Sequence, residues 1–259
     1  MTGWEMVAVV AAGFGASAIN AAVGSGSLVS FPVLLAVGLP PVPATITNSL
    51  GIVAGGLTGS FGYRRELAQL RRWLPPMLTG AVLGALTGAW LLLTLPADVF
   101  ATVVPVLLGI AAVLVATQPL INRALARRRT EEDGPAPVGR GRLTAVGFGS
   151  YAASTYGGYF SASQGVLLMG ITGLITPQPI QRLNALKNIN TVTVNIVAAT
   201  AYVLVAADQV VWSVAGLMAV GSVVGGWAGA TVGRRLPGPL LRTAIVVLAG
   251  VAITLLVRR

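Results

Sequence analysis

Cysteine and histidine are both absent from the 259 residues of this chain. That excludes disulfides, thiolate chemistry and zinc or haem sites of the usual kind. Acidic residues are scarce: seven Asp and Glu stand against seventeen Lys and Arg, a net charge of +10. Only 9% of the residues are charged, 55% are hydrophobic and the mean hydropathy is +0.82. A soluble domain carries about 25% charged residues, so the composition is that of an integral membrane protein. At about 20 apolar residues per span, the length holds about eight to ten segments and no soluble domain. The pI of about 11.4 could suggest nucleic acid. The positive charges, however, fall in short clusters between apolar segments, a signature of membrane topology. No nucleic-acid partner is expected.

Apolar segments run over about 4–22, 24–39, 44–62, 73–95 and 99–121, then 143–160, 162–175, 183–206, 209–233 and 240–257. Ala16-Ser17-Ala18 resembles a signal-peptide cleavage site, but no Lys or Arg precedes the apolar run and Glu5 is acidic. The first segment is therefore expected to stay uncleaved. Between the two sets lies a polar connector with Arg127-Arg128-Arg129, Glu131-Glu132-Asp133 and Pro135-Ala136-Pro137, read as a flexible cytoplasmic linker. The division is thus 1–121, a first transmembrane repeat; 122–142, the linker; and 143–259, a second repeat.

Arg64, Arg65, Arg71 and Arg72 share one loop, and Arg123, Arg127, Arg128, Arg129, Arg140 and Arg142 fall in the connector. Arg182 precedes the eighth segment, and Arg234, Arg235 and Arg242 flank the loop before the last. Loops 40–43, 96–98 and 207–209 carry no Lys or Arg, and two of them hold Asp98 and Asp208. Placing the arginine loops in the cytoplasm puts the other loops and both termini outside, with only Arg258-Arg259 on the unfavoured side. The first half then begins outside and the second inside, with five segments in each. The fold expected is an all-α polytopic membrane protein of two inverted-topology repeats, a plan common among secondary transporters.

Broken or re-entrant helices are expected within it. Segments 24–39 and 162–175 would reach about 21–24 Å, short of the ~30 Å hydrocarbon core. Ten spans, and six spans plus two hairpins, both fit. In the stretch Asn20–Ser49, Gly24, Gly26 and Pro32 disfavour a continuous helix, and Pro40, Pro41 and Pro43 force a turn. Irregular backbone at membrane depth must be buried in protein or line a watery cavity. The series Gly51-Gly55-Gly59, Gly80-Gly84-Gly88 and Gly221-Gly225-Gly229 read as close helix packing.

Glu5, Asp98 and Asp208 stand at external ends, Glu66 in a basic loop and Glu131, Glu132 and Asp133 in the connector. No acidic residue is therefore in the interior of a predicted membrane segment, and a carboxylate proton relay has no members. The single lysine, Lys187, lies in the eighth segment, where Asn184, Lys187, Asn188, Thr191 and Asn195 recur at three or four residues and share a helical face. It reads either as an interfacial lysine that snorkels or as a cation that attracts an anion. The opposite wall comes from Asn20, Ser25, Ser27 and Ser30 with the backbone of Gly24 and Gly26, and from Asn48. Tyr156, Ser161, Ser163 and Gln164 are their counterparts in the second half. A half-helix starting near Ser27 would point its positive dipole end at the break. Two such starts meeting near the midplane would bind an anion with little formal charge. Gly-Ser-Gly-Ser is no nucleotide loop, since no strand precedes it and no Gly-Lys-Ser/Thr follows.

At these residues the chain resembles the TauE/SafE sulfite exporter family of bacterial membrane proteins. The resemblance is carried by Val23-Gly-Ser-Gly-Ser-Leu-Val-Ser-Phe-Pro-Val-Leu-Leu-Ala-Val-Gly38, Ala44-Thr-Ile-Thr-Asn48 and Tyr63-Arg-Arg-Glu66 in the first half. In the second it rests on Tyr156-Gly-Gly-Tyr159, Asn184-Ala-Leu-Lys-Asn188 with Asn195, and Gly225-Gly-Trp-Ala-Gly229 followed by Arg234-Arg235. Ser25 and Ser27 stand where glycine is frequent in the family. The resemblance implies a multi-pass protein of the bacterial inner membrane that moves small sulfur-containing or organic anions such as sulfite or sulfonates.

The function expected is secondary transport of a small anion, with binding residues Asn20, Gly24, Ser25, Gly26, Ser27, Asn48, Tyr156, Ser161, Gln164, Asn184, Lys187 and Asn188. A passive anion channel is the rival, ahead of a non-transporting membrane subunit and of an enzyme. The expected partners are the anionic substrate and the lipid bilayer, without cofactor or metal; a homo-oligomer stays open.

Overall fold

A computed structural model describes residues 1–131, 139–176, 178–231 and 238–257. Among these residues the fold is all-α. The first half comprises α1 (Gly3–Ala22), α2 (Ser27–Ala36), α3 (Pro41–Gly51), α4 (Val53–Gly62), α5 (Arg64–Ala68), α6 (Leu74–Thr94) and α7 (Ala97–Glu131). The second comprises α8 (Arg140–Tyr159), α9 (Gln164–Ile175), α10 (Ile180–Val205), a short 3-10 turn at Ala207–Gln209, α11 (Trp212–Thr231) and α12 (Gly238–Val257). Among the described residues, five helices are long and apolar enough to cross a membrane: α1, α6, α7 as far as Ala124, α10 and α11.

The elements depart from the sequence reading in four places. The predicted segment 44–62 is two helices, α3 and α4, that meet at Ile52. The arginine loop contains the short helix α5, too brief to leave a periodic signal. The segment 99–121 runs on as α7 through Glu131, ten residues into the stretch read as flexible linker. Glu132, Asp133, Pro135, Pro137, Arg234, Arg235, Arg258 and Arg259 lie outside the described residues. Pro32 does not break α2; the break falls at Gly24–Gly26.

Two chain reversals organise the bundle. After α1 the chain turns through Val23–Gly26, and α2 packs back along α1: a Cβ on Gly26 would come within 2.0 Å of the Ala16 carbonyl oxygen. After α8 it turns through Phe160–Ser163, and α9 packs back along α8, with Gly149 against Ile171 and Gly157 against Gln164. At ten and twelve residues, α2 and α9 are about 15 and 18 Å long, too short to cross a ~30 Å core.

Glycine seams hold the longer helices. Gly80, Gly84 and Gly88 of α6 lie on successive turns of α8, at Gly147, Tyr151 and Thr155. Gly221, Gly225 and Gly229 of α11 lie likewise on Val10, Phe14 and Ala18 of α1. Residue numbers rise together in both seams, so each pair runs parallel, at the close approach that small residues permit. The same neighbour relations recur between the halves: α1 sits on α11 as α8 sits on α6, and α12 contacts α2 as α7 contacts α9. Within this cage α10 is surrounded by α1, α3, α4, α6, α8 and α9. That enclosure is why one helix carries Lys187, Asn188, Asn190, Thr191 and Asn195 all buried.

Candidate functional site

Each reversal ends one helix and begins another within a few residues. Gly24 stops α1: its φ of +96° is a left-handed conformation natural to glycine, and the N–H groups of Val23 and Gly24 both donate to Ile19 O, at 2.7 and 3.2 Å. The second turn makes the same reversal with serines, Ser161 at φ 67° and Ser163 at φ 60°. Such values are uncommon for residues other than glycine.

The two turns touch. The Gly165 N–H donates to Gly24 O at 3.1 Å, and the hydroxyls of Ser27 and Ser161 are 3.0 Å apart. The starts of α2 and α9 therefore meet, as the paired glycine-serine clusters suggested. Neither start is capped. Gly26, ahead of α2, has no side chain, and Ser163, ahead of α9, sends its hydroxyl away to Ala111 O at 3.3 Å. The N–H groups of Gly26, Ser27, Ser163 and Gln164 find no acceptor among the described residues. Those are the donors that a helix leaves unpaired at its N-terminus, where the dipole favours negative charge.

Asparagines brace each start. Asn48 of α3 donates from Nδ2 to Ser27 Oγ at 3.1 Å and accepts from Ser30 Oγ at 2.5 Å. Asn190 of α10 accepts from Gln164 Nε2 at 3.1 Å and Ser154 Oγ at 3.2 Å, and donates to Ser150 Oγ at 2.6 Å. Gln118 of α7 donates to Val23 O at 3.1 Å. Beneath them Phe31 and Phe160 pack edge to face at 5.4 Å, and Phe100 of α7 joins Phe160 at 6.2 Å.

Lys187 is 1% exposed, which overturns the snorkelling alternative. Its ammonium donates to Asn20 O at 3.0 Å and Ala21 O at 3.2 Å, the last carbonyls of α1, and Asn188 Nδ2 adds a 3.3 Å bond to Ala21 O. A cation at a helix C-terminus meets the negative end of the dipole. The hydroxyl of Tyr202, also on α10, donates to Gly158 O near the end of α8. The negative ends of α1 and α8 are thus occupied by α10 side chains, while the N–H groups at the positive ends of α2 and α9 have no acceptor among the described residues.

Of the twelve residues singled out from sequence, the contacts unite Gly24, Ser27, Asn48, Ser161, Gln164, Lys187 and Asn188. Asn20 takes part through its main-chain carbonyl. Gly26 is the uncapped residue ahead of α2. Ser25 lies in the first turn with a buried hydroxyl that has no partner among the described residues. Tyr156 likewise has a buried, unpartnered hydroxyl. Asn184 stands one turn before Lys187, half-buried, and makes no hydrogen bond to the cluster. Sequence reasoning missed Asn190 and Gln118. Asn190 stands three residues after Lys187, at the spacing of the polar stripe itself, so its signal was present in the sequence.

Comparison with known proteins places the chain in a family. Residues 9–256 match the family described as "Sulfite exporter TauE/SafE". A probable membrane transporter protein of Haemophilus influenzae is 25% identical over 251 residues, 95% of this chain and 92% of that one. The probable membrane transporter protein YfcA of Escherichia coli K12 is 26% identical over 235 residues, 90% of this chain and 82% of its own. ORF9 of a Sinorhizobium species, also named a probable membrane transporter protein, is 33% identical over 114 residues, 44% of this chain and 42% of that one. No solved structure matches. The chain, a multi-pass α-helical membrane transport protein, belongs to the TauE/SafE sulfite exporter family.

Proposed function

We propose that this protein is a secondary transporter of small anions, sulfite or sulfonates among them, in the bacterial inner membrane, with its binding site where the starts of α2 and α9 meet. One observation carries the reading: two uncapped helix starts face each other in a buried cluster whose one full charge is the Lys187 ammonium. Unpaired N–H groups and dipole ends solvate an anion without a rigid counter-charge, as at the half-helix starts of other secondary transporters. Asn48, Asn190 and the serine hydroxyls hold the starts in place. Burial of the cluster favours a carrier over an open channel, because a solute reaches it only when one hairpin moves. The matching neighbour relations of the two halves support an inverted repeat, whose exchange of roles would open the site to either side.

Purified protein in liposomes tests this with a panel of sulfite, thiosulfate, methanesulfonate and small carboxylates. Saturable flux with counterflow for at least one of these anions is the expected result. Lys187→Ala should lower that flux at least tenfold at unchanged expression. Absence of flux for every anion would overturn the reading, and linear, uncoupled conductance would make the protein a channel.

A further inference from the structure

Lys187 stands apart from the other members of the cluster. Its methylene stem threads between the two reversals: a Cβ on Gly24 would lie 2.8 Å from Lys187 Cδ, and a Cβ on Gly165 would lie 3.0 Å from the same atom. Its ammonium reaches past the turn to the end of α1 and takes two carbonyls there. Two neighbouring side chains of α10 therefore fasten the first hairpin, Lys187 with two bonds and Asn188 with one, beside the N–H groups of Gly26, Ser27, Ser163 and Gln164. Those carbonyls carry only partial negative charge, and among the described residues the ammonium contacts carbonyls alone. An anion at the helix starts offers a full charge, and in a site closed to water the stronger acceptor draws the ammonium.

We propose that Lys187 is a latch. Without substrate it caps α1 and holds the first hairpin against α10, keeping the site closed. A bound anion takes the ammonium from Asn20 O and Ala21 O and leaves α1–α2 tied to α10 at Ala21 O by the one 3.3 Å bond of Asn188, so that the hairpin can move. This rests on the anion-transport reading and adds the device that couples occupancy to movement. The loaded carrier then changes its exposure faster than the empty one, because only the loaded one has its latch released.

Two measurements test it. The first compares the wild-type protein in two modes with methanesulfonate: exchange of anion across the liposome membrane, and net efflux, which requires the empty carrier to return. Exchange at least tenfold faster than net efflux is expected. Equal rates in the two modes overturn the latch while leaving transport intact; flux in neither mode overturns the transport reading itself.

The second uses the cysteine-free background, in which Ser25→Cys supplies the one thiol for maleimide labelling without anion. Labelling of Ser25→Cys should be slow. It should rise at least fivefold in Ser25→Cys with Lys187→Met, which keeps the stem and removes the charge, and stay slow with Lys187→Arg. Equal labelling in the Lys187→Met and parent backgrounds overturns the latch. Should Lys187→Met fail to fold, the two-mode comparison on the wild-type protein decides alone.

Discussion

The two chain reversals perform one task with different residues. The first turns on Gly24, at φ +96°; the second turns on Ser161 and Ser163, at φ 67° and 60°. The difference follows from what lies beside each. Gly24 faces the Lys187 stem and the Gly165 backbone, so its missing Cβ is a requirement of space as well as of conformation. Ser161 and Ser163 have use for their side chains, which reach Ser27 and Ala111 O. A left-handed serine costs about 1–3 kcal/mol and persists where its surroundings over-determine it. One turn is therefore shaped by what must pass through it, the other by what it must hold.

The sharpest way to break this comparison is to exchange the chemistry of the turns. Gly24→Ala adds strain of about 1–2 kcal/mol for the left-handed conformation and overpacking of about 1–3 kcal/mol. Thermal or denaturant unfolding in detergent should show a loss of both together, with flux abolished. Ser161→Gly relieves strain and gives up one hydrogen bond, so its stability should stay within about 1 kcal/mol of wild type. Equal losses from the two substitutions would mean that the turns are not distinguished by crowding.

Next in size are the braces. Asn190→Ala strands Ser154 Oγ and Gln164 Nε2, while Ser150 keeps its bond to Met77 O, and should cost about 1–3 kcal/mol. Asn48→Ala strands fewer groups and should cost about half as much. Unfolding of the two variants side by side gives the ratio, and a larger loss at Asn48 would place the main support on the first half.

A smaller effect is expected across the join. A double-mutant cycle of Ser27→Ala and Ser161→Ala should return a coupling of about 0.6 kcal/mol, typical of a hydrogen bond between membrane helices. A coupling of zero would say that the turns abut without interacting. Smallest of all on stability is Ser25→Ala. Removing a buried hydroxyl that has no protein partner should change stability by less than about 0.5 kcal/mol. Its apparent KM for the transported anion should nevertheless rise severalfold, if the solute is the missing partner. An unchanged KM would detach Ser25 from the site.

Much of this architecture was legible in the residues. The ten apolar stretches correspond to helices or helix pairs, because span length and hydrophobicity are local properties. Gly80, Gly84 and Gly88 announced a packing seam without naming α8 as the other side. The serine-glycine clusters flagged both reversals, since a helix has few ways to pass Gly24-Ser25-Gly26. Asn190, three residues after Lys187, was lost because the stripe was drawn through Asn188 and Thr191 instead. The helical continuation to Glu131 was lost because a run of charges scores as a solvated connector, whether or not its backbone is coiled.

The order of the residues alone determined that this is a membrane protein with no acidic residue in the interior of its predicted segments, because partitioning between lipid and water depends on what the segments contain. The residues of each turn also set where helices stop and start, through backbone conformation and hydrogen bonding within a few positions. Only the tertiary structure decided that the two starts meet and that Lys187 closes on α1. Those contacts join residues such as Ser27 and Ser161, 134 positions apart, and Lys187 and Asn20, 167 apart. No local preference encodes such a meeting; it follows from glycine seams that leave the helices one way to pack.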